Sequence, residues 1–166
     1  GAHPASVAGE LVAAAEEAGA AVRRPGVAIP VDDAVDGLTH STLLHAPFSG
    51  DHDATAAAVS SLSLPDSGED SETDAETRRS LASRVALAVA GDDDATPRAA
   101  DAVERVLRPY ATPEAPIATL GGFADVLTAT ARERPGTGVA LALGHGGRDA
   151  ALDVWREHGR AVHAAL

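Results

Sequence analysis

Along most of the chain, apolar residues return every three or four positions, which is the spacing of one helical face. The pattern breaks where proline, glycine or acidic residues cluster. Ser6 can cap a first helix running to about Ala18, with Val7, Leu11, Ala14, Ala15 and Ala18 as its buried stripe and Gly19 as its stop. Val22 to Pro30 is a connector with a short extended piece at Val27–Ile29. Asp32 or Asp33 then starts a short helix to about His40, and His40 to Gly50 (HSTLLHAPFSG) reads as an ordered loop. Asp51 or Asp53 caps a helix of about ten residues, with Ala54, Ala57, Ala58, Ser61 and Leu62 at helical spacing.

The stretch 65–74 (PDSGEDSETD) is polar and acidic and reads as a flexible linker. Beyond it, Thr73 and Glu76 form a capping box for a helix to about Ala90, with Leu81, Val85, Ala88 and Val89 inward. Thr96 and Pro97 open another helix to about Leu107, with Ala100, Val103, Val106 and Leu107 inward. The three prolines of Pro109–Pro116 predict an extended segment.

In the last third, a helix from about Gly122 to Arg132 buries Phe123, Val126, Leu127 and Thr130, and Pro135-Gly136 breaks it. The apolar run Val139–Leu143 is too short to tell strand from helix. A final helix from about Arg148 to Ala165 turns Leu152, Trp155 and Val162 inward, and Gly159 weakens it by about 1 kcal/mol relative to alanine. The fold class expected is mainly α: a helical bundle or connector of about six helices with at most one or two short strands. The expected organisation is a helical segment 1–64, the acidic linker 65–74 and a second helical segment 75–166. The opening Gly1-Ala2-His3-Pro4 reads as an arbitrary start within a longer protein.

Composition adds a solvent and a compartment. Thirteen basic residues, all arginine, face 25 acidic ones, for a net charge of −12. A lysine-free, Asp-rich and Ala-rich chain matches a protein of an extreme halophile, where dense carboxylates keep the surface hydrated and molar salt screens their repulsion beyond about 3 Å. A nucleic-acid mimic or a disordered acidic tail fits less well, because the acids are spread along helical faces. Cysteine is absent, so disulfides and thiolate chemistry are excluded. With no signal-peptide pattern and no apolar run of about 18 residues, the expectation is a cytoplasmic protein with no membrane partner.

Candidate chemistry is sparse. Leu143 to Arg148 (LGHGGR) lies between an apolar run and a helix but matches neither phosphate-binding glycine pattern, so a tight turn is the better reading. His40, His45, Asp51 and His52 could hold a metal, yet they lack the spacing of a ligand motif, and the reading ranks last. His158 and His163 fall on the final helix as half-exposed surface residues. Asp92-Asp93-Asp94 lacks calcium-loop spacing and reads as a solvated turn. Arg132 and Arg134 end a helix, where the dipole favours cations.

Phe123 to Leu143 (FADVLTATARERPGTGVALAL) resembles a segment of the RecJ-like exonucleases of the DHH phosphoesterase family, in which a helix bearing Asn-Ala-x-Gly-Arg precedes a short break and an apolar run. Thr128, Ala129, Thr130, Ala131 and Arg132 occupy that pattern. Ala129 and Arg132 match it, while Thr128 stands in place of Asn and Ala131 in place of Gly. His40 to Gly50 and Tyr110 to Glu114 are similar to stretches of the archaeal members. The Asp-His-His that names the family is absent, as is its C-terminal glycine-rich substrate motif.

The resemblance implies the connector between the two domains of a 5′→3′ single-strand exonuclease, without the catalytic residues of either. The family's manganese would be held outside this chain, and single-stranded nucleic acid would be met through Arg132 and Arg134. A helical interaction module docking a replication partner such as GINS is the alternative.

Overall fold

The structure, a computed structural model, describes residues 4–60, 62, 72–92 and 99–166. Its helices are α1 (Pro4–Glu17), α2 (Ala34–His40), α3 (His52–Val59), α4 (Glu72–Ala90), α5 (Ala99–Val106), α6 (Leu120–Glu133), α7 (Pro135–Ala142) and α8 (Arg148–His163). Two short strands, β1 (Val22–Arg23) and β2 (Tyr110–Ala111), pair antiparallel with Val22 opposite Ala111 and Arg23 opposite Tyr110. The Arg23 guanidinium lies 4.8 Å over the Tyr110 ring. The protein is thus mainly α with one small sheet, and the described residues hold eight helices where about six were expected.

Local chemistry sets the helix starts. The Asp33 carboxylate accepts from the backbone N–H groups of Val35 (2.8 Å) and Asp36 (3.0 Å), and that of Asp51 from Ala54 (2.9 Å). Thr119 caps α6 by accepting from Gly122 N at 3.0 Å, so this helix starts two residues before the expected Gly122. Pro135 occupies the first turn of α7, where its missing N–H is no loss, so the Pro-Gly pair opens a helix and Val139 to Ala142 is helical.

Several expectations are corrected. Part of the stripe assigned to α1 is not buried: Leu11 is 68% exposed and Ala14 and Ala18 face solvent, because helical spacing supplies an apolar face but not a surface to cover it. α1 also starts at Pro4, which leaves Ser6 inside it. In α3 the buried positions are Thr55 and Val59, while Ala57 is exposed. α4 starts at Glu72, so Thr73 falls within its first turn and the linker's last three residues are helical; its other residues, 65–71, lie outside the described residues. The Thr96-Pro97 cap and Asp93-Asp94 also lie outside them. Between Pro109 and Pro116 only Tyr110–Ala111 forms a strand. The chain then turns, with Ala115 N donating to Thr112 O (3.0 Å) and Thr112 N to Ala118 O (3.0 Å). Proline's fixed φ suits a turn as well as an extended segment.

Two apolar clusters fill the interior. In the first, Val27, Leu38, Phe48 and Val59 pack with Leu81, Val85 and Val89 of α4 and Val106 of α5. In the second, Val31 and Ile117 pack with Val126 and Ala129 of α6, Leu141 of α7, and Ala151, Leu152 and Trp155 of α8. Ala28 N donates to Val106 O at 2.9 Å and Thr119 Oγ1 to Ile29 O at 2.8 Å, so 27–31 is the segment on which both clusters close. Gly122 sits where a Cβ would lie 2.4 Å from Pro30 N, which lets the first turn of α6 abut that segment.

Candidate functional site

α6 carries the residues on which the expected function rests, and its two faces differ. Gly122, Asp125, Val126, Ala129 and Thr130 are buried, whereas Ala124, Thr128, Ala131 and Arg132 are exposed. Ala124, Thr128 and Arg132 follow one another at four-residue intervals, so they share one solvent-facing row. Thr128 returns its hydroxyl to Ala124 O at 2.8 Å. Of the five pattern positions, Thr128, Ala131 and Arg132 are therefore open to solvent and Ala129 and Thr130 belong to the core.

Arg132 lies in the last turn of α6 and Arg134 is the residue between α6 and α7. Both are exposed, and among the described residues neither side chain has an ion-pair or hydrogen-bond partner. Glu133 between them is engaged elsewhere: its Oε1 is 3.1 Å from Nδ1 of His158 on α8. His158 is only 8% exposed, which corrects its expected place on the surface. α8 turns its Leu152, Trp155 and His158 row onto α6, and that row takes the histidine inside.

Asp125 is the polar centre beneath this face, and it was not singled out from the sequence. It is 2% exposed, and four donors converge on it. Oδ2 accepts from Trp155 Nε1 (2.8 Å), Ser41 Oγ (3.1 Å) and Thr42 N (3.1 Å), while Oδ1 accepts from Thr42 Oγ1 (2.5 Å). One carboxylate thus joins α6, α8 and the end of α2. Its contacts are all donors, so it works as an acceptor alone. The available signal was its place on the helix, within the apolar row of Gly122, Val126 and Ala129.

A second polar clasp joins α2 to α8. Arg156 donates through Nε to both oxygens of Asp36 (3.1 Å each) and through a terminal nitrogen to Oδ2 (2.8 Å). Burial alone would raise the Asp36 pKa, but the hydrogen bonds and charge of Arg156, with His40, outweigh it and hold the carboxyl below its ordinary value. The same hydrogen bond, accepted by Asp36, is the main cause that raises the Arg156 pKa. Gly159 makes the approach possible, since a Cβ there would lie 2.1 Å from His40 O. The glycine expected only to weaken α8 is therefore a packing requirement.

The histidine and aspartate group expected to compete for a metal does not converge. Asp51 caps α3, His52 is exposed beside Asp53, and His40 stands edge-on to Trp155 with its Nδ1 3.0 Å from Asp36 O. His45 instead meets His163, 118 residues away. Among the described residues no three His, Asp or Glu side chains could hold a metal ion, so the manganese implied by the resemblance does not fit them. The glycine loop after α7 is exposed from Leu143 to Gly147, with Gly144, Gly146 and Gly147 at positive φ, and acts as a turn into α8. No helix among the described residues is long and apolar enough to cross a membrane.

Comparison with known proteins places one relative beside this geometry. The chain is 52% identical over 159 residues to an uncharacterized protein of Haloarcula marismortui. The match covers 95% of this chain and 41% of that protein, so the chain spans well under half of the relative's length. No family model and no solved structure matches.

Proposed function

We propose that this chain is the inter-domain helical region of a RecJ-like 5′→3′ single-strand exonuclease acting in the cytoplasm, and that it supplies a nucleic-acid contact but no catalytic group. The observation that carries the reading is the open row Ala124, Thr128 and Arg132 on α6, followed at once by Arg134. Small residues beside a cation let a phosphate backbone approach closely, and among the described residues no partner occupies either guanidinium group. In a chain of net charge −12 such contacts must be local, because the overall field repels nucleic acid. Cleavage and its manganese belong, on this reading, to segments outside the chain.

The test is binding of fluorescein-labelled oligo-dT by anisotropy across a salt series. Arg132→Ala should weaken binding and reduce the salt slope by about one, whereas Arg79→Ala, an exposed arginine on α4, should change neither. Identical isotherms for both variants would refute the contact. The alternative, a docking module for a replication partner such as GINS, draws on one specific observation: α1 leaves Leu11 exposed although the spacing predicts a covered face. A pull-down with purified GINS separates the two readings.

A further inference from the structure

We propose that His45 and His163 form a two-point chelate for a borderline divalent transition metal such as zinc, joining the last turn of α8 to the loop after α2. The two Nδ1 atoms are 3.4 Å apart. A tetrahedral ion with bonds of about 2.0–2.1 Å to imidazole nitrogen sets its donors about 3.3–3.4 Å apart, so the pair already stands at the required bite. The rings are tilted by 31° with centroids 5.6 Å apart, and they meet through these nitrogens rather than stacking face to face.

The surroundings prepare His163 as a ligand. Its Nε2 lies 3.0 Å from Ser41 O and donates to it, which puts the proton on Nε2 and leaves the lone pair on Nδ1. A backbone carbonyl on the far nitrogen is the usual outer-shell partner of a metal-bound histidine.

His45 is exposed, and its Nε2 has no partner among the described residues. In the metal-free chain its Nδ1–H donates to the His163 lone pair, and metal binding moves that proton to Nε2 and turns the Nδ1 lone pair inward. The loop that carries His45 packs on α8 through Gly50. Gly50 packs so closely on α8 that a Cβ there would lie 2.6 Å from that of His163, and Gly50 N donates to Thr39 O at 2.9 Å. Among the described residues no third His, Asp or Glu joins the pair, so water completes the shell. Two neutral nitrogens select zinc-like ions over magnesium, calcium or manganese. This site is independent of the α6 reading.

Zinc chloride titrated into the untagged chain at pH 7.5 in an isothermal calorimeter tests the chelate. One ion per chain is expected with a Kd on the order of 1–100 µM, from about half the binding free energy of a four-ligand zinc site. His45→Ala should weaken binding at least about tenfold and abolish the zinc-dependent rise in melting temperature, with the far-ultraviolet spectrum unchanged. His52→Ala, on neighbouring α3, should bind as the parent does. The proposal is overturned if the parent chain takes up no zinc at about 1 mM, if His45→Ala binds as tightly as the parent, or if His52→Ala is the variant that loses the ion.

Discussion

Replacing Asp125 with alanine removes the acceptor shared by four donors, and the consequences differ donor by donor. The Ser41 hydroxyl has only Leu43 N beside it at 3.3 Å, a donor that cannot take its proton, while the two Thr42 groups are partly buried and can meet water. Trp155 Nε1 has no such recourse, because its ring is fully buried. An orphaned buried donor costs about 1–3 kcal/mol, so Trp155 and Ser41 together give about 2–6 kcal/mol. Relief of the carboxylate's own desolvation offsets part of that, leaving an expected loss of about 2–4 kcal/mol. Asparagine keeps the shape and one strong acceptor, and Thr42 Oγ1 can reverse to accept from the amide, so Asp125→Asn should lose only about 1 kcal/mol. Urea unfolding followed by circular dichroism at fixed salt measures both. In a Trp155→Phe background, which deletes the orphaned donor, the alanine penalty should shrink by about 1–3 kcal/mol. Asp125→Ala within about 0.5 kcal/mol of the parent, or a coupling to Trp155 near zero, would refute the reasoning.

Two further outcomes follow from the α2–α8 contact. Gly159→Ala gains about 1 kcal/mol of helix propensity but places a Cβ 2.1 Å from His40 O; the clash should win, and a thermal melt should show a net loss of about 2 kcal/mol or more. The Asp36–Arg156 clasp should contribute about 1 kcal/mol, since both side chains remain partly exposed, at 23% and 30%. Because the folded Asp36 pKa is lowered, this contribution is fully present above the ordinary value of 3.8 and is lost as pH falls through the lower folded value. The stability gap between the parent and Asp36→Asn should therefore be constant from pH 7 to about 5 and close only in acid; a gap that closes near neutrality contradicts the assignment.

Signals confined to neighbouring residues were legible in the sequence. Asp33 and Asp51 act as caps because a short carboxylate before an apolar-periodic run has few other uses, and Leu81, Val85 and Val89 face inward as their spacing predicts. What failed to read were quantities set by distant partners. α1 has the spacing of a covered helix, yet its Leu11 is exposed, since whether an apolar residue is buried depends on what the rest of the chain brings to it. Gly159 reads locally as a weak point, and only the path of His40 shows that no larger residue fits. His45 looked like a companion of Asp51 and His52, its neighbours in sequence, yet it meets His163 across the fold. Asp125 lay within the stretch that carries the resemblance, but its role depends on Ser41, Thr42 and Trp155, which lie 30 to 84 residues away.

The anchoring of α6 bears directly on the proposed contact at Arg132. A cation at a frayed helix end would sample many positions and gain little from any one phosphate, because its ordering entropy would be lost on binding. α6 is held along its length on the inner side: Thr119 donates to Ile29 O at its start, Asp125 gathers four donors at its middle, and Glu133 meets His158 at its end. The row from Ala124 to Arg132 is the side these anchors leave open, so Arg132 is carried on a fixed backbone while its own side chain stays free. If the contact is real, loosening the helix should weaken nucleic-acid binding even with both arginines intact. Asp125→Asn, which spares the fold, should then lower oligo-dT affinity less than Arg132→Ala does, whereas any variant that frees Glu133 from His158 should let Glu133 compete for the arginines beside it.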